Sequence, residues 1–280
     1  SGNVSLKDLC DGNLENVITG EIRLQSLASY ILRGGWPGNL KLSTEDALKI
    51  PAQYLDNMVT NDIAKVDDKV RDEAKMRLLL RSLARNESTT ATMARLKSDM
   101  QGVEQLAIDE DTIADYLNIF AKLFIIENQK PFATAIRSSL RIKQAEKRHF
   151  TDPSFACSLL GISDENRLIG DLETFGFLFE ALCERDLRIY AQSFSANLLH
   201  YQDYSNDEID AVVELPDGSW SAFEIKLGAH QIDEAAAKLL DVNKKFKHPA
   251  TTLCVICGLS NAAYRRPDGV CVVPITALKP

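Results

Sequence analysis

The sequence predicts a mixed α/β protein, α+β over its whole length, with a helical N-terminal part followed by a mixed sheet flanked by helices. Two observations predict it. Up to about Phe120 the apolar residues recur at helical spacing, as in Tyr54, Leu55, Met58 and Val59, or Ile113, Tyr116, Leu117 and Phe120. From Asp171 onward, one helical segment precedes three β-prone runs, a second helix and a further apolar run. That order makes a three-strand meander with a helical crossover into a fourth strand.

The 280 residues are 45% hydrophobic and 26% charged, enough to bury a core in one large domain or in about two to three small ones. No apolar run approaches the roughly 20 residues a bilayer crossing needs, and no basic start leads into an apolar stretch. A cytoplasmic protein without membrane attachment is therefore expected. Ser1-Gly2 in place of an initiating Met reads as the remnant of tag cleavage, which leaves open whether the natural N-terminus lies upstream. The formal charge of −8 argues against nonspecific coating of nucleic acid, which needs a positive surface, but leaves room for a local patch.

Taken in order, Leu6 to Leu48 reads as helical pieces broken at Gly34-Gly35-Trp36-Pro37-Gly38, where a hinge or tight loop is expected. No G-x-x-x-x-G-K-[ST] occurs, so ATP hydrolysis by this chain alone is not expected. Helical spacing continues from Pro51 through Leu83, then over Ala91 to Leu96 and Asp109 to Phe120. Leu123 to Asn128 and Pro131 to Ala133 read as a hairpin after three short helices, the order of a winged helix-turn-helix. A helical connector with one β-ribbon is the alternative. Lys130, Arg137, Arg141, Lys143, Lys147 and Arg148 form a basic cluster beside this hairpin, a candidate nucleic-acid contact or a solvated face. Pro153 is expected to stop regular structure, and the loop-like Ser163 to Asn166 marks a boundary. The resulting segments are 1–55, 56–160 and 161–280.

In the last segment, Asp171 to Leu187 and Gln231 to Phe246 read as helices. Asn197 to Tyr204, Asp207 to Leu215, Ser219 to Leu227 and Thr251 to Cys257 read as strands. Cys254 and Cys257 spell C-x-x-C but sit three apart on a strand, pointing to opposite faces, which suits neither a shared zinc nor a disulfide. All six cysteines are expected to be free thiols, and thiol redox chemistry is not.

Pro216-Asp217-Gly218 fits a three-residue hairpin loop, and if Leu215 then faces Ser219, Asp210 falls opposite Glu224. The two-residue period puts Ile209, Ala211, Val213 and Leu215 on a packed face with Phe223, Ile225 and Leu227. Asp210, Glu224 and Lys226 share the other face. Two opposed acids repel when ionised, by an amount comparable to the roughly 0.2–1 kcal/mol of a favourable cross-strand pair. A bound Mg²⁺ or Mn²⁺ reverses that penalty, and can polarise a phosphodiester and acidify a bound water. Lys226 would add a cation beside the phosphate. The alternative is a solvated polar face with an inconsequential Glu-Lys pair.

Glu180 within Gly176 to Leu182, Glu208-Ile209-Asp210 and Phe223-Glu224-Ile225-Lys226-Leu227-Gly228 resemble the helix Glu, E-[VI]-D and E-[VI]-K of the PD-(D/E)XK nuclease superfamily. The resemblance implies a restriction-endonuclease-like domain and a catalytic set of Asp210, Glu224, Lys226 and Glu180, with the metal on Asp210 and Glu224. Glu180 shares a helical stripe with Glu173, Phe177 and Glu184, so a solvent-facing role is its alternative. More specifically, the chain resembles the C-terminal region of bacterial AAA-type ATPases carrying the domain of unknown function 4143. Its markers are Gly34-Gly35-Trp36-Pro37, Tyr54-Leu55 with Asp62-Ile63, and Pro131 to Asp152 ending in Lys147-Arg148-His149-Phe150-Thr151-Asp152, besides the E-I-D and E-I-K elements. The resemblance implies that 1–55 is the tail of an ATPase lid, 56–160 a winged-helix-like module and 161–280 the nuclease-like domain, with an ATPase domain upstream. Two departures stand out. The Gln-x-x-x-Tyr of RecB-type relatives is absent, since Ala235 follows Gln231 by four positions, and Asp99 to Glu110 is extra length between two helices of the winged module. The function implied is a metal-dependent nuclease acting on DNA or RNA. The alternatives are a non-catalytic nucleic-acid-binding or regulatory module that keeps the fold, and a protein-interaction platform.

Overall fold

An eight-stranded mixed sheet is built mainly from the C-terminal third of the chain. In the computed structural model, which describes residues 3–66, 69–104, 108–133 and 145–280, the strands are β1 Val4–Ser5, β2 Val17–Ile18, β3 Lys130–Pro131, β4 Asn197–Gln202, β5 Glu208–Glu214, β6 Trp220–Lys226, β7 Thr252–Cys257, β8 Ala262–Arg265, β9 Cys271–Pro274 and β10 Leu278–Lys279. The sheet order is β2-β8-β9-β7-β6-β5-β4-β3, with β1 and β10 forming a separate parallel pair. Strands β4, β5 and β6 are the predicted antiparallel meander, and β7 runs parallel to β6 after the helical crossover.

Among the described residues the α-helices are α1 Leu6–Cys10, α2 Leu24–Arg33, α3 Thr44–Ala47, α4 Lys49–Asn57, α5 Glu73–Arg85, α6 Met93–Glu104, α7 Glu110–Lys122, α8 Pro153–Leu159, α9 Glu165–Ile169, α10 Leu172–Ser193 and α11 Ile232–Asn243. The chain divides into two units. A sheet unit comprises Ser1–Leu27, Gln129–Glu146 and Leu182–Pro280, and a helical unit Ala28–Asn128 and Lys147–Ala181. These limits differ from the segment boundaries read from the sequence. Residues 1–55 are not wholly helical, because β1 and β2 pair with β10 and β8.

In the sheet unit, α11 packs through Ile232, Ala235, Ala236, Leu239 and Val242 into one core with Val212, Trp220, Ala222 and Val255. This corrects the picture of a solvated strand face around Asp210 and Glu224: both faces of β5 and β6 are covered. Residues 209–213 and 220–225 are all buried. On the other face, Thr252 Oγ1 donates to the Leu9 carbonyl at 2.7 Å and Ser221 Oγ to the Cys10 carbonyl at 3.5 Å, so α1 satisfies hydroxyls that burial would otherwise penalise. All six cysteines are buried thiols outside any disulfide, and burial raises the thiols of Cys10, Cys157, Cys254, Cys257 and Cys271 above their ordinary range.

The helical unit contains α5, α6 and α7 in succession. The expected hairpin of Leu123 to Asn128 with Pro131 to Ala133 is not formed. Ile126 bridges antiparallel to Phe150 and Thr89 to Arg148, while Lys130–Pro131 joins β4 at the sheet edge, where a proline without an N–H is tolerated. Of the extra length read over Asp99 to Glu110, Asp99 to Glu104 is the end of α6. Pro153 starts α8 instead of stopping structure: it occupies the first turn, where its missing N–H costs nothing, and Asp152 caps the helix.

Gly34-Gly35-Trp36 is a tied loop, not a hinge. Gly35 N–H donates to Asp152 Oδ2 at 2.7 Å and Trp36 Nε1 to Ser154 Oγ at 3.0 Å. Gly34 has φ +64°, and a Cβ there would stand 2.5 Å from Asp152 Oδ1 and 2.6 Å from Ser154 Oγ. Only glycine fits both the backbone angle and the space.

Candidate functional site

The Pro216-Asp217-Gly218 loop sets the site. Leu215 N–H donates to the Ser219 carbonyl at 2.8 Å and Gly218 N–H to the Leu215 carbonyl at 3.0 Å, with Gly218 at φ +86°. The ladder then pairs Glu214 with Trp220, Val213 with Ser221, Val212 with Ala222 and Ala211 with Phe223. One step further, Asp210 stands across from Glu224, as the sequence register requires. There the ladder gives way to a side chain, and Ile225 N–H donates to Asp210 Oδ2 at 2.8 Å.

Around this pair the structure gathers two ammonium groups. Lys226 Nζ lies 3.0 Å from Glu224 Oε2 and 3.5 Å from Asp210 Oδ2. Lys238, on α11, brings Nζ to 2.9 Å from Glu224 Oε1 and 3.7 Å from Glu208 Oε1. Glu224 is fully buried, and neither of its oxygens accepts a well-directed hydrogen bond, so the lysines hold it mainly by Coulomb attraction. Burial, then the neighbouring Asp210 charge, pushes the Glu224 carboxyl up to about 7, against the opposing pull of Lys226 and Lys238.

Two buried carboxylates with hard oxygen donors and no directed hydrogen bonds on Glu224 fit Mg²⁺ or Mn²⁺. Among the described residues no group of three or more His, Cys, Asp or Glu side chains is gathered to hold a metal ion. Any ion at Asp210 and Glu224 would complete its shell with water and substrate oxygen.

The remaining site candidates are placed as follows. Glu180 belongs to the helical unit, where it pairs with Lys147; the division of the chain falls within α10, just after it. Its helical stripe is not solvent-facing throughout, because Glu184 is buried. Lys147 is itself buried, which removes it from the expected nucleic-acid surface. Arg148 is half-buried, with Nε donating to the Ala91 carbonyl at 3.2 Å. Lys130 is exposed and lies in the sheet unit, whereas Arg137, Arg141 and Lys143 lie outside the described residues. The stretch from Lys147 to Asp152 is in fact a structural stitch. His149 Nδ1 meets Glu87 Oε1 at 2.9 Å, Phe150 N–H donates to Glu87 Oε2 at 3.1 Å, Thr151 N–H donates to the Ile125 carbonyl at 3.0 Å and Asp152 holds Gly35.

Lys238 is the site residue the sequence reading missed. Its signal was present: it falls seven residues, two helical turns, after Gln231 and beside the apolar stripe of α11, where a lysine can reach across the strand edge.

Residues 24–166, just over half of the chain, match the family described as Domain of unknown function (DUF8612). The chain belongs to the DUF8612 family. A second domain of unknown function, DUF4143, is present at residues 175–278. In this DUF8612 member the resemblance to DUF4143 is therefore confined to the C-terminal part. Gly34 to Pro37, Tyr54-Leu55, Asp62-Ile63 and Pro131 to Asp152 fall in the DUF8612 region instead. No curated protein and no solved structure matches the chain.

Proposed function

We propose that the sheet unit is a PD-(D/E)XK-type nuclease domain that hydrolyses phosphodiester bonds of DNA or RNA, with Asp210 and Glu224 holding one Mg²⁺ or Mn²⁺ ion. The observation that carries this reading is the meeting of Asp210, Glu224 and Lys226 on two adjacent strands, fixed by one hairpin loop. The order of α10, the β4–β6 meander, α11 and parallel β7 supports it, being that of the restriction-endonuclease-like core which the sequence resembles.

When bound, the ion would polarise the phosphoryl oxygen and lower the pKa of a water. The chain's own residues prepare the place. Ile225 N–H fixes the orientation of Asp210, so one ligand is set before the ion arrives. Lys226, between the two carboxylates, supplies a positive charge for a non-bridging phosphate oxygen as negative charge develops there. Glu180 is left to the ion pair with Lys147 in this reading. The succession of α5, the Thr89 bridge, α6, α7 and the Ile126–Phe150 bridge supports a winged-helix-like reading of the helical unit. The same reading includes an ATPase domain upstream in the full-length protein, as the sequence resemblance to DUF4143-carrying ATPases implies.

A second reading has its own support: two lysines already sit against the two acids, and among the described residues no group of three or more His, Cys, Asp or Glu side chains is gathered to hold a metal ion. On that reading the domain keeps the fold as a regulatory or nucleic-acid-binding module. Incubating the protein with labelled single- and double-stranded DNA and RNA, with Mg²⁺ or Mn²⁺, separates the two. The nuclease reading expects metal-dependent cleavage that Asp210→Asn abolishes; no cleavage of any substrate with either ion leaves the regulatory reading.

A further inference from the structure

The Asp210–Glu224 pair already has cationic partners. Two carboxylates face two ammonium groups, Lys226 and Lys238, at the distances given above. A divalent ion arriving at Glu224 would meet both positive charges at close range, so one ammonium must withdraw before the ion can settle.

The two lysines are not equivalent in this respect. Lys226 lies on β6 within reach of both acids of the pair, so a small movement keeps it among them. Lys238 projects from α11 and stands between an inner and an outer carboxylate. Glu224, at 2.9 Å, is fully buried, whereas Glu208, at 3.7 Å, has a side chain 52% exposed. The side chain of Lys238 is itself 31% exposed, so a rotation of its flexible stem toward Glu208 moves it outward without opening the core.

We propose that Lys238 is a resident counter-ion that occupies the metal's place on Glu224 and retreats to Glu208 when a divalent ion binds. The proposal rests on the reading of Asp210 and Glu224 as metal ligands. It makes Lys238 a positioning residue that sets metal affinity, with Glu208 as its outer station.

Titrating Mn²⁺ into the full chain, followed by calorimetry or by the loss of the free-ion electron spin resonance signal, tests it. Lys238→Met is expected to bind Mn²⁺ more tightly than wild type, by about tenfold or more, because one opposing charge is gone. Lys238→Arg, which keeps the charge, should stay near wild type. Glu208→Gln should bind several-fold more weakly, because the lysine loses the place it retreats to. Lys244→Met, an exposed lysine paired with Asp241, controls for net charge and should change nothing. Adding Asp210→Asn to Lys238→Met should cancel the gain, which places the ion at this site. Should Lys238→Met not fold, judged by its melting curve, Lys238→Gln and Glu208→Gln carry the same test. Wild type that binds Mn²⁺ with an affinity unmoved by Lys238→Met overturns the counter-ion and leaves the metal site standing. Absence of binding in both proteins overturns both. Binding only after Lys238 is removed would show a counter-ion that never yields its place, and overturns the retreat to Glu208.

Discussion

The Ile225 amide donates to the carboxylate of Asp210 at 2.8 Å, at the point where the β5–β6 ladder would otherwise continue. Asp210 is thus both a structural acceptor and a candidate ligand, and two substitutions separate the roles. Asp210→Asn retains an acceptor oxygen and is expected to keep most of the stability. Asp210→Ala leaves a buried N–H without its partner and should cost about 1–3 kcal/mol, read from urea unfolding midpoints. Equal stability of Asn and Ala would show that the bond contributes nothing.

Glu224 gives a pH dependence with a definite sign. Its carboxyl is raised to about 7 by burial and by Asp210, above the 4.5 of an ordinary glutamate, which holds when the chain is unfolded. The folded state then binds the extra proton between those values, so this group's contribution to stability is greatest at acid pH and falls as pH rises from about 4.5 to about 7. Comparing wild type with Glu224→Gln across that range should show the difference growing in favour of Gln as pH rises. A difference that is flat with pH would contradict it.

Gly34 and Gly218 both have positive φ, but only Gly34 is crowded. Gly218→Ala should lose about 1–2 kcal/mol from the backbone alone. Gly34→Ala should lose more, because its Cβ would press on Asp152 and Ser154. Thermal melts of the two variants make the comparison, and equal losses would mean that the loop yields to the methyl group.

Buried Lys147 and half-buried Glu180 form an ion pair in the helical unit. Removing one partner, as in Lys147→Met, should destabilise by about 3–5 kcal/mol, while Lys147→Met with Glu180→Leu should recover much of the loss. Should single substitution leave the melting temperature unchanged, Lys147 would belong to the surface after all.

Much of the site was legible because a hairpin register depends on local chemistry. Pro-Asp-Gly fixes the loop, alternation fixes the faces, and Asp210, Glu224 and Lys226 follow. The same signal went unread later in the chain. Pro267-Asp268-Gly269 closes β8 on β9 as Pro216-Asp217-Gly218 closes β5 on β6, with Gly269 at φ +89° and Arg266 N–H on the Val270 carbonyl at 2.9 Å. What alternation cannot supply is the third layer. Polar residues on the Asp210 face suggested solvent, yet α11 covers that face, because Val212, Trp220 and Ala222 on it are apolar. Nor does charge density along the chain distinguish a surface patch from a stitch. Lys147 and Arg148 look like phosphate contacts until Glu180 and the Ala91 carbonyl, distant in sequence, are brought against them.

The central claim is that Asp210 and Glu224 hold one divalent ion together, and a Mn²⁺ titration of wild type, Asp210→Asn and Glu224→Gln tests it most directly. The account predicts one site in wild type and a loss of affinity in each variant. Equal affinity in all three proteins would contradict it.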